Sequence, residues 1–323
     1  MRAAQLVAPR QWQLLETDKP APGPQQMLVR MERVAICGSD QPPFSGVHDS
    51  YPLPMGRTGH EGLGIVEDCP SGQYRPGQRV LLWGFDRGLF QEYVLINDLD
   101  GCIPLPAEGD PSVLLMSQLL GTVIHAFYKL GNVINQDVVV MGQGPVGQLF
   151  VATLRNLGAR RIIAVDPLPG RLEVSKVMGA THTVNPSETD LEAAIIDITE
   201  GKLADILVEA VGLNETFNLC PPLIRRNGTL VYFGVPDKEN QEGLMQLRFL
   251  DMFRKELRII TTVGPNPQMD YTIAFDWIIQ GRLDVSPILT HLLPFDKIQQ
   301  GFEMAFERPG ESASLKIVLD FDQ

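Results

Sequence analysis

The segment Val138-Val-Val-Met-Gly142-Gln-Gly144-Pro-Val-Gly147-Gln-Leu-Phe150 decides the fold. Its apolar opening reads as a buried strand and its close as the first turns of a helix. Gly142, Gly144 and Gly147 therefore form G-x-G-x-x-G on a strand-to-helix turn. In that setting the first glycine permits the tight turn, the second lets the backbone approach a pyrophosphate, and the third lets helix and strand pack closely. N–H groups at the helix start face the phosphates, so Gly142, Gly144, Pro145, Val146 and Gly147 are expected to contact a dinucleotide. An acid, Asp166, ends the next strand 19 residues beyond Gly147. A carboxylate there accepts hydrogen bonds from the ribose hydroxyls and repels a 2′-phosphate, so NAD is expected over NADP. Arg160, Arg161 and Arg171 lie close enough to temper that repulsion, and Arg171 is placed beside the adenine.

The alternation continues downstream. Strands are expected at Asp137–Met141, Arg161–Val165, His182–Val184, Asp205–Glu209, Thr229–Phe233 and Leu257–Val263, with helices from about Pro145 to Leu157 and Gly170 to Met178. Such short apolar strands with helices between them describe a parallel sheet covered on both faces. Upstream the texture differs. Gln26–Ala35, Gly62–Glu67, Gln78–Leu82 and Phe90–Ile96 read as strands separated by Pro and Gly, a β-rich domain that ends before a helix over Pro111–Leu130. Helices near Asp270–Gly281 and Phe295–Phe306 precede a terminal strand, Ser314–Asp320, which needs a sheet and is expected to return to the first domain.

A chain of 323 residues suggests two domains. The 27 basic and 39 acidic residues give a charge of −12, which argues against nucleic acid and anionic membrane surfaces. With no export signal in the first residues and no long uninterrupted apolar run, a cytoplasmic protein with no membrane partner is expected. Cys37, Cys69, Cys102 and Cys220 are too scattered for a disulfide framework, so any cysteine that matters does so through chemistry.

Two motifs 23 residues apart carry that chemistry: Cys37-Gly-Ser39-Asp40 and Gly59-His60-Glu61-Gly62-Leu-Gly64. Thiolate, imidazole and carboxylate are donors that Zn²⁺ accepts, and three protein ligands leave one position open. His60 and Glu61 are adjacent, so they share a metal only where the chain leaves regular strand geometry, which the flanking glycines permit. Asp40 is a candidate to fix the tautomer of His60. Ser39 is placed to hydrogen-bond a substrate hydroxyl and receive its proton. His48, Asp49 and Arg57, in the preceding loop, are candidates to touch substrate.

Taken together, these motifs resemble the medium-chain zinc-dependent alcohol dehydrogenases, and most closely the branch of sorbitol, other polyol and threonine dehydrogenases. The resemblance spans nearly the whole chain, including Pro287–Ile298 and Leu315-Lys-Ile-Val-Leu319. It implies an α/β protein in which a GroES-like catalytic domain (1–112 and 264–323) receives an inserted Rossmann domain with a doubly wound parallel sheet (113–263). It also implies one catalytic zinc on Cys37, His60 and Glu61, and a nicotinamide lined by Thr122, Val211 and Val235. The partners it implies are a small alcohol or ketone and a second copy of the chain, as homodimer or homotetramer through the edge strand Leu257–Val263. Three departures matter. Gln118 stands where the family often has Cys or Glu, and is expected to bond water at the metal or to pack. Pro42 replaces a relay histidine, so the proton leaves through Ser39 and water or a ribose hydroxyl. Leu81–Glu92 has no cysteine, so no structural zinc is expected. The expected reaction is reversible oxidation of a secondary alcohol by NAD. A zinc-free NADPH-dependent quinone or enoyl reductase and a non-catalytic dinucleotide-binding protein are the competing readings.

Overall fold

The computed structural model describes residues 1–47, 50–97, 101–236 and 244–323; His48 and Asp49 lie outside them. The chain divides into two compact units, Met1–Leu119 with Leu289–Gln323, and Leu120–Ile288.

In the first unit, the strand Gln26–Ala35 is central. It pairs antiparallel with Glu61–Asp68, Tyr93–Asn97 and the terminal strand Lys316–Asp320, which in turn pairs parallel with Leu289–Pro294. Arg79–Trp83 and Ile103–Leu105 extend the sheet beyond Glu61–Asp68. The terminal strand does return to the first domain, and all five of its residues are buried. An N-terminal hairpin, Arg2–Ala8 with Gln11–Glu16, adds Trp12 to an aromatic core in which it meets Phe90 and Phe302 with ring centroids 5.5 and 4.9 Å away.

The second unit holds six parallel strands among the described residues. Their order is His182–Val184, Arg161–Val165, Asp137–Met141, Ala204–Glu209, Ile224–Tyr232 and Arg258–Thr261. Asp137–Met141 is wholly buried, as a strand covered on both faces must be. The order reverses direction beside it, which puts the glycine loop at the switch point where such sheets bind ligands.

The sequence placed 264–288 in the β-rich domain, but these residues belong to the second unit. Helix Pro267–Ile279 explains the difference. A Cβ on Gly121 would come within 2.5 Å of Tyr271 Cδ1, and the His125 imidazole donates from Nδ1 to Asp270 Oδ2 at 2.9 Å. The edge strand is also shorter than expected, Arg258–Thr261. Helix Pro111–Leu130 is long and apolar enough to cross a membrane, with mean hydropathy 1.4, yet 72% of that stretch is buried in the protein.

The glycine loop behaves as its spacing requires. Gly142 has φ +90°, a left-handed conformation, and a Cβ on Gly147 would lie 1.9 Å from the Gly142 carbonyl oxygen, whereas one on Gly144 would meet nothing within 4 Å. Gly147→Ala should therefore lower the thermal midpoint by several degrees, since overpacking against backbone costs about 1–3 kcal/mol. Gly144→Ala should leave it within error. Differential scanning calorimetry distinguishes the two, and equal midpoints would contradict the packing role given to Gly147.

Candidate metal and dinucleotide sites

Cys37 precedes a single 3-10 turn, Gly38–Asp40, and is half-buried. The Asp40 carboxylate, fully buried, accepts from the Cys37 N–H through Oδ2 at 2.8 Å and so holds the turn closed. On the other motif, Thr58 adopts φ +76°, a left-handed conformation uncommon for a β-branched residue, and its carbonyl accepts from His60 Nδ1 at 2.7 Å. Asp40 Oδ1 is farther from that nitrogen, at 3.4 Å. The Thr58 carbonyl, more than Asp40, therefore fixes the tautomer and leaves Nε2 as the electron-pair donor of the neutral ring. His60 ends the irregular stretch and Glu61 opens strand Glu61–Asp68, which satisfies the geometric demand on two adjacent ligands.

The ligand atoms of Cys37, His60 and Glu61 lie within 4.8 Å of one another. Ser39 Oγ sits 3.1 Å from His60 Nε2. Two neighbours were not anticipated. Lys316 Nζ lies 2.6 Å from Glu61 Oε2, with both side chains 1% exposed, and Phe85 stacks on the His60 ring at 4.1 Å between centroids. A lysine inside the apolar run Leu315–Leu319 was the available signal for the first; an aromatic between Gly84 and Gly88 was the only signal for the second. Burial pushes the Lys316 ammonium down, but the charges of Glu61 and Cys37 outweigh it and hold the group above its ordinary range. Burial likewise pushes His60 down, and Asp40 and Cys37 more than reverse it. Cys37, His60 and Glu61 thus gather a sulfur, a nitrogen and an oxygen donor in a buried place, a set that a divalent cation accepts. Glu61 Oε1, also buried, has no hydrogen-bond partner among the described residues. The donor set and this orphaned oxygen fit a zinc ion. Gln118 is buried in helix Pro111–Leu130.

In the second unit, Asp166 is 3% exposed; Oδ2 accepts from the Gln143 N–H at 2.8 Å and Oδ1 from the Leu168 N–H at 2.9 Å. Arg171 Nη1 is 3.6 Å from Asp166, so the arginine expected beside the adenine also flanks the acid. Beneath the loop, Gln143, Gln148 and Ser175 form a fully buried polar network: Ser175 Oγ donates to Gln143 Oε1 at 3.0 Å, and Gln148 Nε2 to the Gln143 carbonyl at 3.2 Å. Val211 and Val235 are half-buried at two touching turns, and Thr122 is half-buried on its helix. Burial raises the Cys220 thiol well above its ordinary value, with the Glu209 charge adding to the effect, so this cysteine is a core residue.

Residues 23–107 match the alcohol dehydrogenase GroES-like domain family and residues 145–280 the zinc-binding dehydrogenase family. The chain belongs to the medium-chain, zinc-type alcohol dehydrogenases. It is 27% identical to an L-threonine 3-dehydrogenase from Chromobacterium violaceum, over 94% of this chain and 95% of that one. Its structure is similar to alcohol dehydrogenase TADH from Thermus sp. ATN1 (TM-score 0.84, 24% identity, 99% of both chains). It also resembles 2R,3R-butanediol dehydrogenase from Bacillus subtilis (TM-score 0.84, 20% identity, 99% of both chains). This family membership makes the chain an alcohol-dehydrogenase-type oxidoreductase acting on small molecules.

Removing Lys316 leaves Glu61 buried without its ammonium. With divalent cations chelated, Lys316→Met should lose about 3–5 kcal/mol in urea unfolding. Adding Glu61→Gln should recover more than half of that loss, whereas additive losses would contradict the coupling.

Proposed function

We propose that this dehydrogenase reversibly oxidises a secondary alcohol, a polyol, sugar, inositol-like compound or amino alcohol, with NAD and one zinc held by Cys37, His60 and Glu61. The convergence of those three ligand atoms within 4.8 Å of one another, one of them on a buried carboxylate, carries the reading. When bound, zinc supplies Lewis-acid polarisation of the substrate oxygen, and NAD supplies the hydride acceptor.

The protein's own residues do the remainder. Ser39 Oγ, beside His60 Nε2, accepts the proton of the substrate hydroxyl and passes it to water or a ribose hydroxyl, because Pro42 occupies the place of a relay histidine. Thr58 and Asp40 hold the imidazole and the Cys37 turn, Lys316 holds Glu61, and Phe85 shields one face of His60 from water. In the second unit, N–H groups at the start of helix Pro145–Asn156 bind the pyrophosphate across the open face of Gly144. Asp166, held by two backbone N–H groups, presents its remaining lone pairs to the ribose. The exposed edge strand Arg258–Thr261, with Ile259 44% accessible, supports a homodimer, alone or paired into a homotetramer; the cytoplasm is the compartment proposed for it.

Metal analysis of protein purified without chelator should give one zinc per chain; mere traces would sink the proposal. Cys37→Ser should abolish alcohol oxidation while NADH binding persists, and loss of both would contradict the separation of metal and dinucleotide sites. In steady-state kinetics, wild type should prefer NAD⁺, and Asp166→Ala should narrow that preference by roughly tenfold or more, one charge-assisted hydrogen bond's worth. A wild type faster with NADP⁺ would refute the ribose argument.

A further inference from the structure

Glu209 ends strand Ala204–Glu209 and is fully buried. Its carboxylate gathers one turn: Oε1 accepts from Val211 N at 3.1 Å, from Gly212 N at 3.0 Å and from Thr216 Oγ1 at 2.7 Å, and Oε2 accepts from Gly212 N at 3.1 Å. Its main-chain carbonyl gathers another, accepting from Phe233 N at 2.9 Å and Gly234 N at 3.1 Å. The two turns touch backbone to backbone. A Cβ on Gly212 would lie 2.4 Å from the Val235 carbonyl oxygen, and one on Gly234 would lie 2.1 Å from Gly212 N and 2.7 Å from Glu209 Oε2.

These turns carry Val211 and Val235. We infer that Glu209 is the positioning residue for the nicotinamide end of the dinucleotide: its carboxylate fastens the turn that bears Val211, and through that turn's backbone contact it sets the Val235 turn packed against it. The inference rests on the dinucleotide reading above and adds a residue that reading does not contain. Both carboxylate oxygens accept from this one turn, Oε1 from three donors and Oε2 from the Gly212 N–H that it shares with Oε1. A glutamine would turn an N–H₂ group toward one of the donors now satisfied. The adenine half is served by other groups, the glycine loop and Asp166, so a defect at Glu209 should be felt at one end of the ligand.

That asymmetry supplies the test. NADH and ADP-ribose, which lacks the nicotinamide, are titrated by calorimetry into wild type, Glu209→Gln and Thr216→Val. Glu209→Gln should weaken NADH roughly tenfold or more, the loss expected when a hydrogen bond to a charged acceptor goes, and leave ADP-ribose unchanged within error. Thr216→Val, which keeps the carboxylate, should show a smaller loss with the same asymmetry. It decides the matter should Glu209→Gln not fold. Equal weakening of both ligands, or unchanged NADH binding, would overturn the role of Glu209. A wild type that binds neither ligand would overturn the dinucleotide reading itself.

Discussion

A lysine and a glutamate, 2.6 Å apart and each 1% exposed, tie the last strand of the chain to the strand that carries the metal-site motif. Neither would be tolerated in an apolar interior alone. Lys316 has its place because Glu61 is there, and the buried Glu61 carboxylate has an ion-pair partner because Lys316 is. The pair ties the strand Lys316–Asp320 to the place where Cys37, His60 and Glu61 meet. Strand Gln26–Ala35, between Lys316–Asp320 and Glu61–Asp68, sets the two partners at fixed register. The same carboxylate that meets the ammonium comes within 4.8 Å of the Cys37 and His60 ligand atoms.

The second unit solves a similar problem differently. Its sheet ends are gathered by buried acids whose partners are mainly backbone N–H groups. Asp166 holds the glycine loop and the turn after its own strand, and the Glu209 carboxylate holds the turn after its strand while its main-chain carbonyl holds the neighbouring one. Backbone donors are geometrically stiff, so an acid that accepts two or three of them locks the turns at the strand ends. In both units, charge buried at strand ends serves positioning, while the apolar strands supply the stability.

Local patterns were legible. The glycine fingerprint, the strands Gln26–Ala35, Asp137–Met141, Arg161–Val165 and His182–Val184, and the helix Pro111–Leu130 stand where their residues put them, because apolar periodicity and glycine spacing act over a few residues. That Cys37, His60 and Glu61 meet was legible for a chemical reason, since a thiol, an imidazole and a carboxylate on glycine-flanked turns make a donor set that flexible backbone can bring together. Lys316, Phe85 and Thr58 were not. The first two depend on contacts between distant segments, and Thr58 on a backbone conformation that its residue type disfavours. Residues 264–288 were misassigned because helix Pro267–Ile279 is placed by Asp270 and Tyr271 against a helix far earlier in the chain. The N-terminal hairpin was missed as well: Gln11–Glu16 is largely polar and buries only Trp12.

What Cys37, His60 and Glu61 hold together decides the chemistry of the first unit. X-ray absorption at the zinc edge, recorded on the metal-loaded protein, reads the donor set directly. One sulfur at about 2.3 Å with nitrogen and oxygen donors at about 2.0–2.2 Å is the predicted shell, and it should lose its sulfur in Cys37→Ser. A shell of four sulfurs, or one whose sulfur survives that substitution, would contradict it.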